Sequence, residues 1–266
     1  MLTSSIGTPA GPLGIGHHTG VKCSVITGPQ IYAFSGGQAL SGRFQLHAET
    51  VYGSLAAATH PLFYAVNVCQ RAIADFASTG LPLHQVDLAT VLAYVHGGNC
   101  HCCVFEGLLQ PRLLDSNHFY ASIGSGKLSA DPFLRFVVDT FCQPGRPPGV
   151  HLATFLAVWV VQHVVDVNPG GVAEPIRVAV FERDTPGPGY SARELPPTEI
   201  AAHKAAIDDA AEALRAWRNN IQSGAAAGGV VSPPIAPATG SATSAGTAPE
   251  LSTTGPPGPS GPGPGP

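Results

Sequence analysis

The chain has 266 residues, with 13 Lys and Arg against 17 Asp and Glu for a net charge of −4, and 44% of its residues are hydrophobic but only 11% charged. That hydrophobic share excludes disorder throughout, and the absence of a basic run argues against a nucleic-acid surface held by phosphate contacts. The 32 glycines and 26 prolines mean that part of the chain is neither helix nor strand.

The opening MLTSSIGTPAGPLGIG has neither the basic flank nor the apolar core of an export signal, and no run reaches 18 apolar residues. A cytoplasmic protein that does not span a membrane is expected. Residues 1–21 read as Gly-rich loop. Val25-Ile26 and Ile31 to Phe34, on either side of Gly28-Pro29, read as two short strands or one bent strand, stopped by Ser35-Gly36-Gly37. Leu40, Phe44, Leu46, Val51 and Leu55 then mark the apolar positions of a helix. Pro61 breaks it, and Leu62 to Ala77 form a second helix with Arg71 and Asp75 facing outward. Ala89 to Val95 and Cys100 to Phe105 flank His96-Gly97-Gly98-Asn99, the signature of an antiparallel hairpin. Phe119 to Ile123 reads as a further strand leading into Gly124-Ser125-Gly126, and Pro132 to Phe141 as a short helix. Leu152 to Val165, apolar over about 14 residues, reads as a buried core helix too short to cross a bilayer. Pro169-Gly170-Gly171 turns the chain into a closing strand, Ile176 to Phe181, in which Arg177 is the polar interruption. Helices segregated against antiparallel strands make residues 1–184 a layered α+β domain.

Residues 185–197 read as a linker and residues 198–222 as an amphipathic helix. Its stripe is Ile200, Ile207, Ala211, Leu214, Trp217 and Ile221, and Asp208, Asp209 and Glu212 precede Arg215 and Arg218, the order that the helix dipole favours. It covers the parent domain or serves a partner subunit. Residues 223–266 are Gly, Pro, Ala, Ser and Thr rich with one charge, Glu250, and read as a disordered tail whose collagen-like end is too short for a triple helix.

Several motifs carry chemistry. Gly124-Ser125-Gly126-Lys127 lacks the earlier glycine and the following hydroxyl of a phosphate-binding loop, and Ile123 and Lys127 stand where a nucleophile elbow needs glycines. It remains a tight turn that presents a hydroxyl and backbone N–H groups, suited to an oxyanion or to plain chain reversal. In a strand, Cys100 and Cys102 share one face and His101 and Cys103 the other, so these four cannot converge on a metal; His17 and His18 are no better spaced. No metal or cofactor is expected, and the six cysteines read as reduced. Lys22, between Val21 and Cys23 at a strand start, is either a lysine with a lowered pKa or one that snorkels to water. Asp166 is either a buried carboxylate or a helix-end residue.

In this order and spacing, Lys22-Cys-Ser-Val-Ile, Ile31-Tyr-Ala-Phe-Ser-Gly-Gly-Gln-Ala-Leu40, Tyr120-Ala-Ser-Ile-Gly-Ser-Gly126, Asp166-Val-Asn-Pro-Gly-Gly171 and Ile176-Arg-Val-Ala-Val180 resemble the proteasome β-subunit and HslV-like group of N-terminal-nucleophile (Ntn) hydrolases. The resemblance implies a four-layer αββα sandwich and threonine-type peptide hydrolysis in a homo-oligomeric ring acting on peptide or unfolded protein. Lys22 matches the lysine that supports the nucleophile, Ser125 and Asp166 match residues that hold it, and Gly36 and Gly37 stand at the turn or oxyanion position. Two departures stand out. The family has two strands with a leading Thr ahead of the lysine, where this sequence has Gly-rich loop, and Pro169 replaces a usual Ser. The expectation is therefore an N-terminally incomplete domain that lacks its nucleophile and is inactive as written. The alternatives are a non-catalytic ring or scaffold subunit, or an Ntn amidase acting on small amides.

Overall fold

Two hairpins set up the larger sheet. The computed structural model describes residues 2–4, 22–26, 29–54, 60–168, 172–183 and 189–222. Strands β2 (Cys23–Ile26) and β3 (Gln30–Gly36) pair antiparallel, so the strand signal before Gly36 is two strands and not one bent one. Strands β4 (Leu88–His96) and β5 (Asn99–Glu106) form the second hairpin, closed by Gly97 and Gly98 at φ 58° and 74°, left-handed values that glycine adopts without strain. With β6 (Gln110–Leu113) they make a five-stranded sheet in the order β2-β3-β4-β5-β6. A smaller sheet has the order β1-β7-β8, from β1 (Leu2–Ser4), β7 (Ile176–Arg183) and β8 (Tyr190–Glu194).

Alternation along the strands separates the cores. Tyr32, Phe34, Leu92, Tyr94 and Phe105 turn to one face of the larger sheet, beneath helices α1 (Gln38–Tyr52) and α2 (Pro61–Ser78), which contribute Phe44, Ala48, Tyr64 and Val68. Ile31, Ala33, Val91 and Val104 turn to the other face and meet Ala179 and Phe181 of β7. Beyond the smaller sheet, Val158 of α4 (Val150–Val167) and Ile200 and Ile207 of α5 (Pro197–Gln222) pack on Ile176, Val178 and Val180. Helix α3 (Lys127–Phe141) joins α4 in a cluster of its own built on Leu134, Val137, Leu156 and Val160.

Several sequence expectations change. Residues 119–123 form no strand; the strand after β5 is instead Gln110–Leu113, which follows three left-handed residues, Gly107, Leu108 and Leu109. The stretch expected as Gly-rich loop carries β1, and the expected linker carries β8, which pairs with β7 through Phe181↔Ala192. Helix α3 starts at Lys127, with Pro132 inside it; the carbonyl that Pro132 leaves unbonded belongs to Leu128, which is 89% exposed. Pro61 opens α2 at its first turn, where a missing N–H costs nothing. Leu46, expected on the buried face of α1, is exposed. Asp75 does not point to open solvent: it takes a two-pronged hydrogen bond from Arg43 of α1 at 2.7 and 2.6 Å, clamping α1 to α2. Helix α4 is 18 residues long with a mean hydropathy of 1.6, enough by length and composition to cross a membrane, yet it packs Thr154, Leu156, Ala157, Val158, Val160 and Val164 inside the protein. The tail from 223 onward, Leu55, and His17 and His18 lie outside the described residues.

Candidate functional site

Lys22 stands where the β2–β3 ladder runs out. Its carbonyl accepts the Phe34 N–H at 3.0 Å, one step beyond the Cys23↔Ala33 pair, so Lys22 lies opposite Phe34 and on the same face. The side chain is buried and the ammonium sits 5.4 Å from the centroid of the Phe34 ring. Burial lowers the lysine's pKa from its ordinary value, and the Asp87 carboxylate partly opposes that shift. A cation kept at the edge of an apolar face can stabilise a negative charge forming beside it far better than a solvated one can.

The same row continues across the sheet to Thr90, which pairs with Phe34 and is fully buried. Its hydroxyl has no hydrogen-bond partner among the described residues. Asp87, just before β4, holds the turn that ends β3: its carbonyl accepts the Gly37 N–H at 2.9 Å. Gly36 has φ +107°, and a Cβ there would lie 2.1 Å from the Asp87 oxygen, so only glycine fits. One of the two candidate oxyanion donors, the Gly37 N–H, is thus committed to closing the turn. Helix α1 starts directly behind it with no side-chain cap.

The second cluster of sequence candidates meets at the α3–α4 contact. Ser125 is exposed at the tip of the glycine turn and Gly126 is buried beneath it. A Cβ on Gly126 would come within 2.8 Å of Val164 and 2.9 Å of Val172, so the turn is seated on the last turn of α4. Asp166 is exposed on that same last turn and accepts a hydrogen bond from Gln162 at 2.9 Å. Ala121 and Ile123, just ahead of Ser125, pack in the layer that contains Cys23. The fold thereby brings the segments carrying Lys22, Ser125 and Asp166 to neighbouring elements, although Lys22 faces the Phe34 side of its sheet.

Beside the turn lies a cavity of about 640 Å³ whose walls include Arg112, Tyr120, Ser122, Lys127, Asp131 and Arg135. The Ser122 hydroxyl donates to Asp131, and Lys127 donates to Glu106 at 2.8 Å and to the Ser122 carbonyl at 3.0 Å. Lys127 is therefore tied into the turn's own framework. Phe34, Asp87, Thr90 and the Ser122–Asp131 pair join the site through strand register and the turn's seat, and no local motif marks them as site residues.

The cysteine-rich strand alternates as expected. Cys103 lies in the core under the helices and Cys102 between the sheets, and burial pushes both thiols up to about 12 and Cys100 up to about 11. Among the described residues no group of three or more His, Cys, Asp or Glu is placed to hold a metal ion.

No protein-family model matches this sequence, and no curated protein sequence matches it. Solved structures do. Anbu (ancestral β-subunit) from Yersinia bercovieri aligns at TM-score 0.59 with 12% identity over 80% of this chain and 90% of that one. The Anbu (Gly-1) mutant from Hyphomicrobium sp. strain MC1 aligns at 0.57 with 16% identity over 79% and 88%. The helical assembly of the Anbu complex from Pseudomonas aeruginosa aligns at 0.53 with 13% identity over 87% and 92%. At such identities the likeness is one of fold, and the chain has the proteasome-like Ntn-hydrolase fold seen in Anbu, the fold that its motifs from Lys22 to Val180 resemble.

Proposed function

We propose that this chain is a proteasome-like subunit related to threonine-type peptidases, working in a homo-oligomer on peptide or unfolded-protein substrates. Its layers then correspond to a four-layer αββα sandwich, with α1 and α2 on one outside and α4 and α5 on the other. The observation that carries the proposal is the buried Lys22, held over Phe34 beside the Gly36-Gly37 turn. Such a lysine costs desolvation, which a purely structural position avoids by placing a leucine or methionine there. Lys22 is the electrostatic support of the site, and Ser125 and Asp166 are its positioning residues. The Anbu complex of Pseudomonas aeruginosa is described as a helical assembly, which supports an oligomer for this chain too.

A second reading has its own observation. Ser125 and Asp166 are both exposed, and Asp166 is taken up by Gln162. That arrangement favours a non-catalytic ring or scaffold subunit. One experiment separates the two. The full chain is incubated with an unfolded protein and a panel of fluorogenic peptides, products are identified by mass spectrometry, and assembly mass is measured in parallel. New peptide termini that depend on the chain support the peptidase reading. An assembled protein that leaves every substrate intact supports the scaffold.

A further inference from the structure

Helix α5 is longer than the surface it covers. Ile200, Ile207, Leu214 and Ile221 recur every seven residues, with Ala210 and Trp217 between them, which is the narrow seam of a coiled coil. The first two of these isoleucines are buried against α4 and β7. Beyond Ile207 the helix contributes no buried residue, and Leu214 and Ile221 are 45% and 47% exposed. The Trp217 ring is half-buried, and its indole N–H is shielded from water without an acceptor among the described residues. Residues 208–222 extend about 22 Å at 1.5 Å per residue, so the unmatched half is four turns of helix.

The charges along this half are ordered. Asp208, Asp209 and Glu212 come first, then Arg215 and Arg218. Two such helices side by side in parallel would put like charges together, whereas an antiparallel pair sets each acidic half beside the other's basic half and opposes the helix dipoles. With the two-fold axis at Leu214, Trp217 of one copy meets Ala211 of the other, a small residue that leaves room for the indole, and Ile221 lies at the end of the contact, where the other copy's Ile207 turns into its own core. We propose that the C-terminal half of α5 pairs antiparallel with the same segment of a second copy, centred on Leu214. A two-helix contact of this length falls short of the roughly 1,200 Å² of a standard stable interface, so it acts as a weak link that joins units assembled through other surfaces. The pairing stands independently of any hydrolytic activity.

The test uses the full chain. The double variant Leu214→Asp, Ile221→Asp changes only exposed positions, so its melting temperature should match the wild type. By sedimentation velocity at high concentration its assembly mass should fall twofold. In a Cys100→Ser background, which removes the exposed native thiol, Leu214→Cys should form a disulfide-linked dimer on mild oxidation, while Ile221→Cys should not. Equal cross-linking at both positions would mean parallel helices and would overturn the proposal. So would the absence of a cross-link at position 214, or an assembly mass untouched by the two aspartates, either of which would assign the seam to another occupant such as the chain's own tail.

Discussion

The Lys22 ammonium stands 5.4 Å from the centre of the Phe34 ring, on the residue that lies directly across the β2–β3 ladder from it. A cation over an aromatic face gains about 0.5–1 kcal/mol where water still reaches it, which does not offset full burial of a charge. The lowered pKa expresses that balance. A lysine whose folded pKa is depressed destabilises the fold at pH values below that pKa, and the cost lifts as pH rises from the folded pKa toward the ordinary 10.5. Lys22→Met, which keeps the stem on Phe34, should therefore match or exceed the wild type in urea midpoint at pH 7. Its advantage should shrink as pH approaches 10.5. A clear loss of stability at pH 7 would show that the charge serves the fold.

Two glycines only six residues apart should respond in opposite directions. Gly36→Ala puts a Cβ against the Asp87 carbonyl at a positive φ and should cost more than about 2 kcal/mol. Gly42 sits inside α1, exposed, with nothing within 4 Å of its missing Cβ, and Gly42→Ala should add about 0.5–1 kcal/mol through helix propensity. Chemical denaturation of both variants checks the pair, and equal effects would contradict the assigned turn.

The seat of the Ser125 turn is testable through Gly126. Gly126→Ala should destabilise by about 1–3 kcal/mol, because the valines that meet the new methyl belong to a packed core. In a Val164→Ala background the same change should cost much less, since the space has been opened. Additive effects of the two substitutions would mean that the turn does not rest on α4.

Thr90→Val removes a buried hydroxyl that has no partner among the described residues and keeps the side-chain shape. A gain of about 1 kcal/mol is expected, read as a higher urea midpoint at unchanged slope. A loss would reveal a partner for that hydroxyl, placing a polar group in the row that joins Lys22, Phe34 and Thr90.

The hairpin at Gly97-Gly98 and helices α2 and α4 were legible because their signals are local: paired glycines between alternating strands, and long apolar periods. Strand β6 was not, since Gln110-Pro-Arg-Leu113 is polar, and its place depends on a left-handed turn at Leu108 and Leu109 that no propensity scale anticipates. The strand signal at Phe119 to Ile123 comes from apolar residues that are partly buried without a pairing partner strand. In the candidate site, Lys22 and the Gly36-Gly37 turn could be found from motif order, but Thr90 and Asp87 join them only through register across β3 and β4.

Once cleavage that depends on the chain is established, the most direct measurement is the turnover number of that peptide substrate for the wild-type chain and for Lys22→Ala, with folding verified by melting temperature. Removing a preorganised charge of this kind typically costs about 10²–10³ in kcat, and that loss is the expected result, with Ser125→Ala weakening turnover less. If Lys22→Ala kept more than about a third of the wild-type kcat, a barrier change under about 1 kcal/mol, Lys22 would not be the centre of the site.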